Sequence, residues 1–170
     1  LKGNRGEAAY TELVHLHQAW VLRMLFYLLG NSEDAEEVAQ DTFLRAYLAL
    51  DGFRGKSSFK TWLRVIATRQ AYNRQRDRST RAGYHDKFQE TATRITPNCF
   101  SQVADRDTLH QVLMRLPFVC REVLELRHVE ELSMEEIARV LDVGLSAAKM
   151  RLSRARERFW EAHAEMVNGE

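Results

Sequence analysis

The sequence predicts an all-α protein: two small helical domains joined by a flexible linker, the C-terminal one containing a helix-turn-helix. Three observations carry this. Apolar residues recur at three- and four-residue spacing in both halves of the 170-residue chain, and no stretch shows the two-residue alternation of a strand. Residues 78–104 break the periodicity, mixing Ser, Thr, Gly, Asn and Pro97 with charge. Around Ser133–Phe159 a capped helix, a Gly-containing turn and a basic helix follow one another. Domains are therefore expected at 1–77 and 105–170, with a linker at 78–104 that holds a short helical piece near Tyr84–Glu90.

In chain order, Ala8–Leu29 predicts a long core helix with Tyr10, Leu13, Val14, His17, Trp20, Val21, Met24, Leu25 and Leu28 on one broad stripe. Gly30–Asn31–Ser32 stops it and starts the next, Asn31 or Ser32 capping and Glu33, Asp34, Glu36 and Glu37 suiting the positive end of the helix dipole. Helix 33–50 turns Ala35, Val38, Ala39, Thr42, Phe43, Ala46 and Leu50 inward. Its opposite side carries Glu37, Asp41, Leu44 and Leu48. Two leucines a turn apart on an acidic face fit a protein-docking patch, and they fit ordinary surface leucines equally well.

The loop Asp51–Ser58 has two glycines and two cations, and a helix resumes through Arg76. Phe59, Leu63, Ile66 and Ala67 form its core side. Trp62, Val65, Arg69, Tyr72, Asn73 and Arg76 form a second stripe, within a Lys60–Arg81 segment holding seven Lys/Arg against Asp77 alone. Rings interleaved with guanidiniums suit single-stranded DNA, where bases stack and cations track phosphates. The competing reading makes Trp62 a core residue and leaves the arginines solvated.

In the second domain, Leu109, Val112, Leu113 and Leu116 stripe the helix at 105–116. Pro117 opens another helix to about Val129, with Val119, Val123, Leu124 and Leu126 for packing and Cys120 as a small buried residue. Ser133 and Glu136 have capping-box spacing, and Met134, Ile137, Ala138 and Leu141 share a face. Asp142–Val143–Gly144 ends this helix, Gly144 being expected to supply the positive φ. Ser146 is expected to cap the next, whose core side is Ala148, Leu152, Ala155 and Phe159. Lys149 and Arg156 flank that side on one edge, and Arg151, Arg154 and Arg158 on the other. Ser146, Ala147, Met150 and Ser153 point outward. Cations on both walls and a slim N-terminal tip suit a major groove; an isolated basic helix would instead be an ordinary solvated one.

Composition narrows the function classes. There are 25 Lys+Arg against 24 Asp+Glu, so charge segregation rather than net charge points to nucleic acid: acids gather at 33–41 and 130–136, bases at 60–81 and 149–158. Cys99 and Cys120 make neither a disulfide framework nor a zinc pattern, and His15 and His17 diverge on a helix, so no metal or cofactor is expected. No nucleophile elbow, P-loop or HExxH is present, so an enzyme is not expected. Cytoplasmic localisation is expected, with no signal peptide and no membrane span.

The stretches DAEEVAQDTFLRAYLALDGFRG (34–55), SFKTWLRVIA (58–67) and LPFVCREVLELRHVEELSMEEIARVLDVGLSAAKMRLSRAR (116–156) resemble bacterial RNA polymerase sigma factors of the extracytoplasmic-function group. The resemblance covers both domains in that family's order. It implies a promoter-specificity subunit with three surfaces. Glu37, Asp41, Leu44 and Leu48 would dock on the clamp helices of the core polymerase's largest subunit. Arg54, Lys56 and Ser57 of the 53–58 loop, with Trp62, Arg69, Tyr72, Asn73 and Arg76, would melt and read the single-stranded −10 element. Ser146, Ala147, Lys149, Met150, Arg151, Ser153, Arg154 and Arg156 would bind the duplex −35 element. An anti-sigma protein is implied as a further partner. Arg69 stands where many members have Asn, and Ser146–Ala147–Ala148 where many have Gly-Thr-Val, so no promoter consensus transfers. The alternative is a stand-alone helix-turn-helix regulator with an N-terminal sensor or dimerisation domain.

Overall fold

The computed structural model describes residues 3–82 and 106–168, all of whose regular structure is helical. The segment expected to form the linker helix at 84–90 lies outside the described residues, as does Cys99. The chain divides into two compact units, Leu1–Ser79 and Thr80–Glu170.

The first unit contains α1 (Gly3–Leu29), α2 (Ser32–Ala49) and α3 (Phe59–Ala82), with a 3₁₀ turn at Leu50–Gly52. α1 begins before Ala8, but its buried side is the expected one, centred on Trp20, Val21, Met24, Leu25 and Leu28. Gly30 ends it in the left-handed region (φ 85°), its N–H donating to the Phe26 carbonyl at 2.9 Å. A side chain there would meet its own backbone, hence glycine. Asn31, not Ser32, caps α2: its Oδ1 accepts from the Asp34 N–H at 2.8 Å.

α2 buries Ala35, Val38, Ala39, Thr42 and Ala46, while Phe43 and Leu50 are only half-buried. Small residues let α1 and α2 approach closely, and the Tyr10 hydroxyl donates to the Phe43 carbonyl across them. α3 buries Leu63, Ala67 and Ala71, leaving Phe59 and Ile66 half-buried. It runs to Ala82, past the expected boundary at 77, so residues 78–82 are helix rather than linker.

The second unit comprises α4 (Arg106–Met114), α5 (Phe118–His128), α6 (Met134–Val140) and α7 (Leu145–Asn168). Its core joins Val112, Leu113, Val123, Leu124, Leu126, Ile137, Ala148, Leu152, Ala155 and Phe159. Cys120 is buried as expected. Two charges, Arg121 and Glu125, are buried with them. Arg121 donates to Met114 Sδ at 3.3 Å and lies 5.8 Å from the Phe118 ring centre, so a cation shares the apolar seam through soft contacts.

The helix-turn-helix forms with two corrections to its turn. The capping box is present: Ser133 Oγ accepts from the Glu136 N–H at 3.3 Å, and Glu136 Oε2 accepts from the Ser133 N–H at 2.8 Å. These bonds hold the Glu136 carboxyl below the usual carboxylate range. The left-handed residue is Asp142 (φ 52°), however, and not Gly144. Val143 N–H bonds to the Ala138 carbonyl at 3.0 Å and Asp142 N–H to that of Arg139 at 3.4 Å, the Schellman pattern. Asp tolerates this conformation because its short side chain crowds the backbone little. Gly144 instead begins α7, its carbonyl accepting from Ala148 at 3.0 Å, which places Ser146 inside the helix and not at its cap. A second left-handed residue, Glu131 (φ 55°), lies between α5 and α6.

Candidate nucleic-acid interfaces and docking face

In the first unit, α3 is built around Trp62. Phe53 from the preceding loop stacks on it at 5.0 Å between ring centres, tilted 40°, and Phe59 lies 5.6 Å away. Phe59 also meets Phe53 at 6.0 Å and His17 of α1 at 5.4 Å, and Trp20 follows 6.3 Å beyond His17. Lys60 stands 4.7 Å over the Trp20 ring. Burial, and then the Lys60 charge, push the His17 imidazole below its ordinary value, so it is neutral and works as another ring. Trp62 is thus half-buried: its inner edge belongs to this cluster and the rest is open. The core reading of Trp62 accounts for its packed edge, and the open part of the ring stays accessible.

The cluster also shapes the loop. Phe53 anchors its start, and its end is pinned by Ser58 Oγ, which accepts from the Thr61 N–H at 3.1 Å. Gly55 takes φ 67°, where a side chain would be strained. Arg54, Lys56 and Ser57 lie exposed between these anchors.

Along α3, Val65, Arg69, Tyr72 and Arg76 are exposed and Asn73 half-buried, continuing one stripe from Trp62. Three of the other cations do not join them. Arg64 is 3% exposed and sits in the core. Arg74 pairs with Glu37 and lies 3.6 Å from Asp34 of α2, and Arg78 reaches Asp34. The seven-cation segment therefore splits between a stripe, the core and an ion-pair cluster.

On α2, Leu44 (59%) and Leu48 (73%) are exposed beside Asp41. Tyr47, which the periodicity did not single out, is exposed between them, its ring 5.0 Å from that of Tyr10. Glu37 is exposed on the same helix and serves Arg74 at the same time.

In the second unit, Ser146, Lys149 and Met150 are exposed at the start of α7, with Leu145, not foreseen, beside them. Ala147, Arg151, Ser153 and Arg154 are half-buried along it. Arg156 turns toward α5, its Nη2 3.5 Å from His128 Nε2. Burial first, and Arg156 and Arg127 next, push the His128 pKa down to about 4. The ring is neutral at neutral pH, and since arginine only donates, Nε2 accepts. Arg127 Nη1 donates to the Leu132 carbonyl at 2.6 Å, tying the end of α5 to the turn before α6. Such contacts join residues distant in sequence, so periodicity alone could not reveal them.

Among the described residues no cluster of His, Cys, Asp and Glu could hold a metal ion, and no helix is long and apolar enough to cross a membrane.

Comparison with known proteins places both units. Residues 13–81 match Sigma-70 region 2, and residues 106–159 match Sigma-70 region 4. The chain is 29% identical over 162 residues to the ECF RNA polymerase sigma factor SigW of Bacillus subtilis, across 88% of this chain and 86% of that protein. It is 34% identical over 160 residues to the RNA polymerase sigma-H factor of Pseudomonas aeruginosa, across 88% and 83% respectively. Its fold is similar to that of the sigma factor RpoE from Bartonella quintana, solved in complex with the anti-sigma factor NepR: TM-score 0.68, 25% identity, 91% of this chain and 96% of that one.

Proposed function

As a member of the extracytoplasmic-function group of the sigma-70 family, to which the chain belongs, this protein directs core RNA polymerase to promoters, and we propose which side chains form each contact. Leu44, Tyr47 and Leu48, rimmed by Asp41 and Glu37, dock on the polymerase. The 53–58 loop and the stripe Trp62, Arg69, Tyr72, Asn73 and Arg76 take the opened −10 strand. Ser146, Ala147 and Met150 approach base edges of the duplex −35 element, with Lys149, Arg151, Ser153 and Arg154 on its phosphates. Arg156 contributes from its place beside His128.

The observation that carries this reading is the half-open Trp62, packed on Phe53 and Phe59 yet continuous with an exposed cationic stripe. A ring so braced is preorganised: a base leaving the duplex stacks on it without ordering it first, recovering part of the unstacking cost. The two units divide the work, duplex anchoring by the second and strand capture by the first. A stand-alone regulator gives no account of the region 2 match, which spans α2 and α3.

RNA synthesis itself is the core polymerase's chemistry; this chain supplies promoter choice, in the cytoplasm where polymerase and chromosome meet. By analogy with RpoE, which is held by NepR, an anti-sigma protein covers the exposed apolar side chains of α2. The test of the central reading is Trp62→Ala in reconstituted polymerase, with 2-aminopurine fluorescence reporting strand opening. Opening is lost while polymerase affinity stays at the wild-type value, and Trp62→Phe retains part of it. Wild-type opening by the alanine variant would remove Trp62 from the mechanism.

A further inference from the structure

The C-terminal third of α3 lacks what holds the rest of the helix. Among its described side chains, which run to Arg78, Ala71 is the last that is buried; Tyr72, Arg76, Asp77 and Arg78 are exposed and Asn73, Arg74 and Gln75 half-buried. Yet α3 continues to Ala82, about 16 Å beyond Ala71 at 1.5 Å per residue. Residues 72–78 bury no apolar side chain, so this stretch of helix is marginal by itself, and helix ends open at little free-energy cost. Three of the stripe residues, Tyr72, Asn73 and Arg76, lie on this extension.

Ion pairs cross from one side of it to the rest of the unit. Arg74 pairs with Glu37 and approaches Asp34 to 3.6 Å, and Arg78 also reaches Asp34. Asp34 is itself steadied by Asn31, whose Nδ2 donates to Asp34 Oδ2 at 2.7 Å, and its carboxylate is mostly covered, with 16% of the side chain exposed. One well-placed carboxylate thus receives two guanidiniums and a capping amide. At 100° per residue Arg74 and Arg78 lie within about 40° of each other and roughly opposite Asn73 and Arg76. They face α2 while the stripe faces away.

We propose that Arg74 and Arg78 are positioning residues for promoter-strand binding, holding the α3 extension on Asp34 and Glu37 so that Tyr72, Asn73 and Arg76 are presented in register with Trp62. The proposal rests on the single-strand reading of the stripe given above. An isolated exposed pair would do little, but several charges sharing one anchored carboxylate form a network, which is where such pairs become effective.

The test uses the full-length chain in three forms: wild type, Arg74→Gln with Arg78→Gln, and an acceptor variant, Asp34→Asn with Glu37→Gln, that leaves both arginines in place. Amide hydrogen exchange across residues 72–78 and affinity for a single-stranded −10 oligonucleotide at low salt are measured with the melting temperature. In the glutamine variant, exchange in 72–78 quickens, strand affinity falls about five- to tenfold, and the melting temperature holds. The acceptor variant, which keeps both guanidiniums, quickens exchange and loses affinity in the same way.

Wild-type exchange in the glutamine variant overturns the positioning role, whether or not the strand binds. Wild-type or tighter strand binding by the acceptor variant overturns it too, since it would put the two arginines on the DNA itself. A general fall in melting temperature makes the pairs merely structural. If exchange behaves as expected but even the wild type ignores the oligonucleotide, the strand-binding reading fails and the proposal with it.

Discussion

Replacing Leu48 with Glu separates docking from folding because of where the side chain stands. Leu48 is 73% exposed, on the side of α2 away from Val38, Ala39 and Ala46. The fold gives up little: surface changes of this kind shift stability by about 0.5 kcal/mol or less. Docking gives up more. Full burial of a leucine is worth about 1.5–3 kcal/mol, and with roughly three-quarters of this one still open the polymerase surface recovers about 1–2 kcal/mol. A carboxylate there must also be desolvated beside Asp41 and Glu37, adding about 1 kcal/mol. The sum, about 2–3 kcal/mol, weakens Kd for core polymerase roughly 30- to 150-fold. Titration of fluorescently labelled polymerase reads this, with a thermal melt of the variant alongside. An unchanged Kd would return Leu48 to ordinary surface exposure; a weakened Kd accompanied by a lowered melting temperature would assign the loss to folding.

Four further outcomes follow from the second unit. Arg154→Ala, measured on a −35 duplex with reconstituted polymerase, lowers the slope of log K against log salt by about 0.9, one phosphate contact; an unaltered slope takes Arg154 off the DNA backbone. Glu131→Gly relieves a left-handed backbone worth about 1 kcal/mol and raises the unit's melting temperature. Gly144→Ser, which meets no atom within 4 Å and supplies a capping hydroxyl, raises it as well, whereas a drop would restore Gly144 to the left-handed role. Because the folded state holds His128 neutral down to about pH 4 while the unfolded chain protonates near 6.5, the unfolded state binds the extra proton in that window. Stability therefore declines as pH falls from 6.5 toward 4, and His128→Gln flattens that stretch of the melting-temperature profile; an identical profile in the variant would place the titration elsewhere.

Much of the fold was legible because helices are written locally. The stripes of α1, α2 and α7, the Asn31 region as a cap and the Ser133–Glu136 box depend on residues three or four apart, and each forms in the structure. The turn of the helix-turn-helix was placed correctly, but its strained residue was not. Glycine is the usual occupant of φ > 0, so Gly144 drew the expectation, while the hydrogen bonds of Val143 and Asp142 put Asp142 there. Helix ends were the weakest points: α1 starts before Ala8 and α3 continues past Arg76 to Ala82. Among the described side chains, neither extension buries an apolar stripe that periodicity could detect.

The sequence by itself determined the class of the protein: two helical units, an acidic helix with outward leucines, an aromatic-cationic helix and a capped helix-turn-helix. Those features are repeats of 3.6 residues and short motifs, and a chain carries them without reference to its partners in space. Only the tertiary structure decided what each cation of α3 does, sending Arg64 to the core, Arg74 and Arg78 to α2, and leaving Arg69 and Arg76 on the stripe beside Tyr72. It likewise decided that Trp62 is braced by a loop phenylalanine, and that Arg156 meets His128 twenty-eight residues away. A guanidinium is long and flexible enough to serve any of several neighbours, so its role is set by which carboxylate, ring or core the packing of helices brings within reach.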